Sequence, residues 1–150
     1  MPASQDTTNG RQIMGRFSAE LEVANYRDVI RAEEGNLAPE KVRRARISGV
    51  VDTGATRLVL PASVVATLGL PQGGKIGVQY ADGRRDQKIV VTDARVEILG
   101  RSSVFTAVVE PNRKDALIGA IVLEELDLIP DCTHQRLMPR DPNQIFAELD

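Results

Sequence analysis

The residues of this sequence best suited to chemistry are Asp52, Thr53 and Gly54, which directly follow two valines. The pattern predicts that a buried strand ends here. A carboxylate at the end of an apolar strand is costly to ionise unless donors satisfy it, and a turn of small residues can aim backbone N–H groups and a hydroxyl at it. Gly54 permits a close approach, and Ala55 leaves room above the carboxylate. The same tripeptide is also common in turns that merely end a strand, so by itself it leaves both interpretations open.

The size and composition of the chain restrict its class. It has 150 residues, a formal net charge of -2 and 42% apolar residues, as is usual for one globular domain. We divide it into a flexible N-terminal tail over residues 1–14 and a single domain over residues 15–150. No apolar run approaches the ~18 residues of a membrane span, and the N-terminus has no signal-like segment. The sequence therefore predicts a cytoplasmic protein without a membrane partner.

The counts of cysteine and histidine exclude several mechanisms. One Cys and one His fall far short of a zinc site, so neither a metal nor a cofactor is expected. Cys132 and His134 would face the same side of a strand and could pair as a thiol nucleophile and its base, although a buried Cys beside an exposed His is favoured. The 21 acidic residues make carboxylates the most numerous candidates for acid-base chemistry.

Most of the chain is predicted to form short strands. Alternating apolar and polar residues over 17–23 are typical of a half-buried strand. The spacing of the strands, with two short helices, favours an all-β barrel or sandwich. One helix is predicted between Pro61, as its first residue, and Gly69, and another over residues 121–126. We also expect one helical turn around residues 26–33 and another over residues 145–149.

A tight turn is predicted at Tyr80, Ala81, Asp82 and Gly83. Asp-Gly is strong turn chemistry, and alternating residues precede it, so a hairpin should form here. An ordinary turn on a sheet edge is equally compatible with these residues.

Three separated elements together resemble the retropepsin-like aspartic proteases, especially the small bacterial single-domain members. The segment from Asp52 to Thr56, with its apolar flanks, resembles their active-site segment, and Leu117-Ile118-Gly119 resembles their second apolar-apolar-Gly element. The 80–83 turn lies between them, where such proteins carry a mobile flap. The resemblance covers residues 17–138. It implies an all-β fold with a retropepsin-like closed β-barrel, one or two short helices and a flap hairpin.

The resemblance also implies an aspartic endopeptidase that acts as a homodimer, with two copies of Asp52 meeting at the interface. Two adjacent carboxylates cannot both ionise cheaply, so the pair shares a proton. One acts as base toward a water while the other polarises the scissile carbonyl. Thr53 would cross-brace the two loops, and the Gly54 N–H would hold the outer carboxylate oxygen. Ala55 and the 80–83 hairpin would contact an extended peptide or protein substrate.

Two positions depart from the family pattern and leave an alternative open. Thr56 stands where these proteases often have an acidic residue, and Ala120 where they often have an arginine, so ion pairs that brace the dimer are missing. A non-catalytic peptide-binding or dimerisation module on the same barrel is therefore the alternative function. A nucleic-acid-binding barrel rests only on Arg43, Arg44 and Arg46, which a solvated strand end explains better. No nucleic-acid partner is expected.

Overall fold

Nine strands and three α-helices organise the part of the chain that the computed structural model describes, residues 16–149. The strands are Arg16–Asn25 (β1), Arg44–Asp52 (β2), Leu58–Pro61 (β3), Gln72–Gln79 (β4), Arg85–Ile98 (β5), Arg101–Glu110 (β6), Ala116–Ile118 (β7), Leu128–Asp131 (β8) and Arg136–Pro139 (β9). The helices are Tyr26–Glu33 (α1), Ala62–Leu68 (α2) and Ala120–Leu126 (α3), with a 3-10 turn at Pro39–Lys41. The tail predicted over residues 1–14 lies outside the described residues.

Six of the strands close into a barrel. Their order is β1-β2-β7-β3-β6-β5, and β5 pairs back with β1 to complete the ring. β4 extends from the ring as an antiparallel hairpin with β5, and β8 pairs with β9 in a separate two-stranded sheet. The predicted all-β class, closed barrel and hairpin are confirmed, although there are three α-helices rather than one or two.

The barrel interior is filled by the apolar residues that alternate along its strands. Leu21 and Val23 of β1 are 1% and 0% exposed, as the alternation over residues 17–23 predicts. Leu58 and Leu60 enter the same core from β3. Burial of side chains of this size stabilises the fold by about 1.5–3 kcal/mol each. The short β3 segment that follows the candidate site is thereby fixed at its start.

The helices differ from the prediction in two places. α2 begins at Ala62, because Pro61 stays extended as the last residue of β3 (φ -61°, ψ 143°). Gly69 ends this helix at φ 62°, the left-handed cap that the sequence predicts. The helical turn predicted over residues 145–149 is wrong. That segment is irregular, and distant side chains hold its backbone: the Gln144 carbonyl accepts from Arg101 and the Phe146 N–H donates to Asp127.

A buried carboxylate ties α1 to the start of β2. Asp28 accepts hydrogen bonds from Arg43 Nε at 2.8 Å, from Nη2 at 3.0 Å and from the Arg43 backbone N–H at 3.0 Å. The Arg43 side chain holds the pKa of Asp28 below its ordinary value, although burial opposes the shift. The carboxylate is only 5% exposed, so its charge depends on this partner.

The rest of the basic cluster is also paired with carboxylates. Arg44 Nη1 lies 3.6 Å from Glu22, and Arg46 Nε lies 3.0 Å from Glu20, both across the β1–β2 ladder. The three arginines that suggested a nucleic-acid surface therefore each face an acidic partner, which supports the interpretation of this segment as a solvated strand end.

Replacing Asp28 with asparagine should lower the free energy of unfolding by about 2 kcal/mol, because charged hydrogen bonds to a buried group are lost. The difference from the native chain should be full above pH 3.8, the ordinary pKa, and should shrink as the pH falls below it, since the folded-state pKa is lowered. Urea unfolding at several pH values measures both effects. Glu20→Gln is the control, because the Glu20–Arg46 pair is more than two-thirds exposed and should contribute less than about 1 kcal/mol. Equal losses in the two variants would contradict the assignment.

Candidate active site

The loop that carries Thr53, Gly54 and Ala55 crosses the end of a neighbouring strand. β7 lies between β2 and β3, parallel to the first and antiparallel to the second. Val51 of β2 pairs with Ile118, the last residue of β7, and Asp52 ends β2. The connection over residues 53–57 must therefore pass over the point where β7 becomes α3. The two apolar segments that the sequence singles out are adjacent in space.

α3 holds this loop through its first N–H groups. Ala120 donates to the Ala55 carbonyl at 2.8 Å, and Ile121 donates to the Thr56 carbonyl at 2.9 Å. The early N–H groups of a helix have no partner within the helix, so these bonds satisfy the helix and the loop together. At Gly119 a Cβ atom would lie 2.5 Å from the Arg57 carbonyl oxygen, which shows how closely the two segments approach.

Both oxygens of the Asp52 carboxylate have a partner. Oδ1 accepts the Gly54 N–H at 2.9 Å, and Oδ2 lies 3.3 Å from Nη2 of Arg16. The Ala55 N–H closes the turn on the Asp52 carbonyl at 3.1 Å. The carboxylate keeps 17% of its surface exposed, so it is oriented by the turn and still open to solvent. Thr53 and Gly54 beside it are exposed, and Ala55 is half-buried.

Arg16 is the residue at this site that sequence reasoning missed. It is the register partner of Asp52 across the β1–β2 ladder. Its side chain is 66% exposed and reaches the carboxylate from the side. Only the strand register could have identified it, and a one-residue shift in that register would turn the side chain to the other face.

The 80–83 hairpin joins β4 to β5, as predicted. The Gly83 N–H bonds to the Tyr80 carbonyl at 2.9 Å, and Gly83 has a φ of 88°, which explains the glycine. Ala81, Asp82 and Gly83 are exposed. The Asp82 carboxylate accepts the backbone N–H of Arg84 at 3.0 Å. This bond and the Arg84 side chain hold the pKa of Asp82 below its ordinary value.

The hairpin is anchored to the end of β6 and not to the Asp52 loop. The Tyr80 hydroxyl donates to Glu110 Oε2 at 3.2 Å, and Lys88 Nζ lies 2.9 Å from Glu110 Oε1. The Glu110 carboxylate raises the pKa of Lys88. The Arg84 guanidinium lies 4.5 Å from the centre of the Tyr80 ring. Glu110 therefore fixes the start of the hairpin. The sequence did not predict this contact.

The other candidate chemistry of the sequence does not assemble. Cys132 and His134 lie in the turn between β8 and β9, and Cys132 is exposed, so the prediction of a buried cysteine is wrong. His134 Nδ1 instead lies 2.8 Å from Asp131. Within residues 16–149 no three His, Cys, Asp or Glu side chains come close enough to hold a metal ion. The helices of the same range are too short or too polar to cross a membrane.

Comparison with protein families places the Asp52 loop in context. The model of the family described as "gag-polyprotein putative aspartyl protease" matches residues 40–125, more than half of the 150-residue chain. The chain belongs to this aspartyl protease family. The matched range includes β2, the Asp52 loop, the 80–83 hairpin, β7 and most of α3. All the elements that carry the resemblance noted in the sequence lie inside it.

The chain is also similar to solved retroviral proteases. The solution structure of the simian foamy virus (mac) protease is 14% identical, with 71% of this chain and 90% of that chain covered and a TM-score of 0.46. The protease of EIAV, complexed with the inhibitor HBY-793, is 20% identical, with 54% and 77% covered and a TM-score of 0.44. A comparison with curated proteins gives no match.

Thr56 and Ala120, the two positions at which the sequence departs from the resemblance, lie where the loop meets α3. The backbone joins the two segments there through the two α3 bonds described above. The loop and α3 are therefore braced within the chain without a side-chain ion pair between these positions.

Replacing Gly119 with alanine should lower the free energy of unfolding by about 1–3 kcal/mol, because the added methyl group meets three backbone atoms of the loop at 2.5–2.8 Å. Backbone cannot move aside as a flexible side chain can. Urea unfolding tests this expectation. Gly77→Ala is the matched control, because a Cβ atom there meets nothing within 4 Å. Equal stability of the two variants would show that the loop and α3 are less tightly packed than their geometry indicates.

Proposed function

We propose that this chain is an aspartic endopeptidase that works as a homodimer, with Asp52 of each copy forming the catalytic pair. The observation that carries the proposal is the Asp52 carboxylate itself. It ends β2, next to a loop held by α3, with Oδ1 bound by the Gly54 N–H and part of its surface open to solvent. The family match over residues 40–125 supports the same reaction class.

The need for a second copy follows from the chemistry and the loop. Water attack on a peptide carbonyl requires one group that accepts a proton and another that polarises the carbonyl. The loop after Asp52 runs Thr53-Gly54-Ala55-Thr56-Arg57 and holds no other carboxylate. A two-fold axis beside the loop would bring the same residue of a partner to it. The pair would then hold one proton between two oxygens.

The remaining site residues take supporting roles in this proposal. Thr53, exposed at the tip of the loop, would brace the loop of the partner, and the Gly54 N–H would keep the carboxylate in the plane of the pair. Ala55 would form the small floor beside the substrate. A peptide in extended form would lie between the loops and the 80–83 hairpin, pairing its backbone with the hairpin as an added strand.

The hairpin can move toward a substrate at modest cost. Its first residue is held through the hydrogen bond from Tyr80 to the Glu110 carboxylate, which also binds Lys88 of β5. A hydrogen bond to a charged group contributes about 1.5–3 kcal/mol. Contacts with a bound peptide, made by Ala81, Asp82 and Gly83, would be enough to offset its loss.

Replacing Asp52 with asparagine should reduce peptide cleavage by about 10²–10⁴-fold, because an amide cannot exchange the proton that the reaction needs. Cleavage of a mixed peptide library, followed by mass spectrometry, measures the loss. The circular dichroism spectrum and the sedimentation coefficient of the variant should equal those of the native chain. The control Glu34→Gln removes an exposed acid far along the chain and should cleave normally. Unchanged hydrolysis by the asparagine variant would overturn the proposal, while peptide binding without cleavage by the native chain would support the non-catalytic alternative.

Replacing Arg16 with alanine should change the free energy of unfolding by less than about 1 kcal/mol, because its side chain is 66% exposed where it meets the Asp52 carboxylate. Urea unfolding measures the change, with Arg16→Lys as the variant that keeps the charge. A loss well above this value in the alanine variant alone would show that the pair with Asp52 contributes more to the fold than its exposure indicates.

A further inference from the structure

A groove on the surface of the barrel is lined by the last residue of the Asp52 loop, by β6 and by α3. Its volume is about 280 Å³. Arg57 of the loop, Val104 of β6, and Ile121 and Glu125 of α3 are among the residues that line it. Pockets for small molecules usually have a volume of about 300–1,000 Å³. The groove is therefore better suited to a few side chains of a polypeptide than to a cofactor.

Arg57 brings to this groove a charge that the chain does not neutralise. It is exposed, and no carboxylate of residues 16–149 forms an ion pair with it. By contrast, Arg43, Arg44 and Arg46 each have an acidic partner. The backbone of Arg57 is closely packed, because a Cβ atom at Gly119 would lie only 2.5 Å from its carbonyl oxygen. A guanidinium whose backbone is fixed and whose tip is free can bind a carboxylate from outside the chain.

The other walls of the groove are apolar, with one acidic residue on the α3 side. Val104 and Ile121 are 39% and 43% exposed. The Glu125 carboxylate is oriented by Ser103, whose hydroxyl donates to its Oε2 at 3.0 Å. Complementary charges determine which partner such a surface accepts. The ligand that fits therefore places an acidic group at Arg57 and apolar side chains against Val104 and Ile121, with no acidic group at Glu125.

The sheet places Arg57 within reach of a peptide that is bound at Asp52. β2 ends at Asp52, β3 begins directly after Arg57, and β7 lies between these two strands. Neighbouring strands are about 4.7–4.9 Å apart, so β2 and β3 are separated by about 10 Å. An extended peptide advances about 3.3 Å per residue, so a peptide that runs from Asp52 toward Arg57 covers this separation in about three residues.

We propose that this groove binds the protein substrate beyond the catalytic pair, and that Arg57 selects substrates with an acidic residue about three positions from the cleaved bond. The inference rests on the proposed endopeptidase function and adds a preference within the substrate. Apolar side chains at the next positions would lie against Val104 and Ile121. In a two-fold dimer each copy carries one such groove, so an acidic residue on either side of the cleaved bond would be recognised.

The test uses a peptide that the native chain cleaves in the library described above, made with glutamate, glutamine or lysine in turn at the second to fifth residues from the cleaved bond. At one of these positions kcat/KM should be about fivefold higher for glutamate than for lysine, because an exposed ion pair contributes up to about 1 kcal/mol. The difference should shrink at high salt. Arg57→Gln should abolish the preference, and Arg57→Glu should reverse it. Val104→Thr should keep it but reduce the preference for leucine over serine at the adjoining residue.

Lys41→Glu is the matched control. Lys41 is an exposed residue of the 3-10 turn, and its replacement changes the net charge of the chain by the same amount as Arg57→Glu. Its preference among the peptides should equal that of the native chain. If the native chain cleaves the glutamate and lysine peptides equally well, or if both Arg57 variants keep the native order, while Asp52→Asn is inactive, this inference fails and the proposed function stands. If the native chain cleaves no peptide of the library, both fail.

Discussion

The candidate site depends on the contact between the Asp52 loop and the start of α3. Two N–H groups of the helix, from Ala120 and Ile121, bond to consecutive carbonyls of the loop. The absence of a side chain at Gly119 lets the two backbones come within contact distance. This contact holds the loop at Ala55 and Thr56, between the end of β2 and the start of β3. The barrel behind it, closed through the β1–β5 pairing, makes the loop a rigid part of the fold.

The Asp52 carboxylate differs from other acidic groups of the chain in how exposed it and its arginine partner are. Most acidic groups with a lowered pKa, such as Asp28 and Asp127, are held by an arginine and a backbone N–H on the same chain. Asp52 has the same kind of partners, but its arginine is largely in solvent and its own surface is partly open. An ion pair so exposed contributes little to stability. The partners of Asp52 can therefore be exchanged at less cost to the fold than those of Asp28 or Asp127.

The sequence predicts the elements of this protein better than the contacts between them. Alternation along β1 and the Asp-Gly turn at residue 83 are local patterns, and both are found as expected. No helix forms over residues 145–149, where the backbone is held by the distant side chains Arg101 and Asp127. Arg16 reaches the site through strand register, which no local pattern encodes. Both contacts join residues far apart in the sequence, so neither could be deduced from spacing alone.

The irregular C-terminal segment is held by polar contacts rather than by apolar burial. Ile145 and Phe146 are 47% and 49% exposed, so they do not contribute the stabilisation that burial in the barrel would give. Three charged side chains bind this part of the chain instead: Asp127 accepts from Arg140 and from the Phe146 N–H, and Arg101 donates to the Gln144 carbonyl. Hydrogen bonds to charged groups are stronger than those between neutral groups. They can therefore fix the backbone of a segment whose side chains add little to the core.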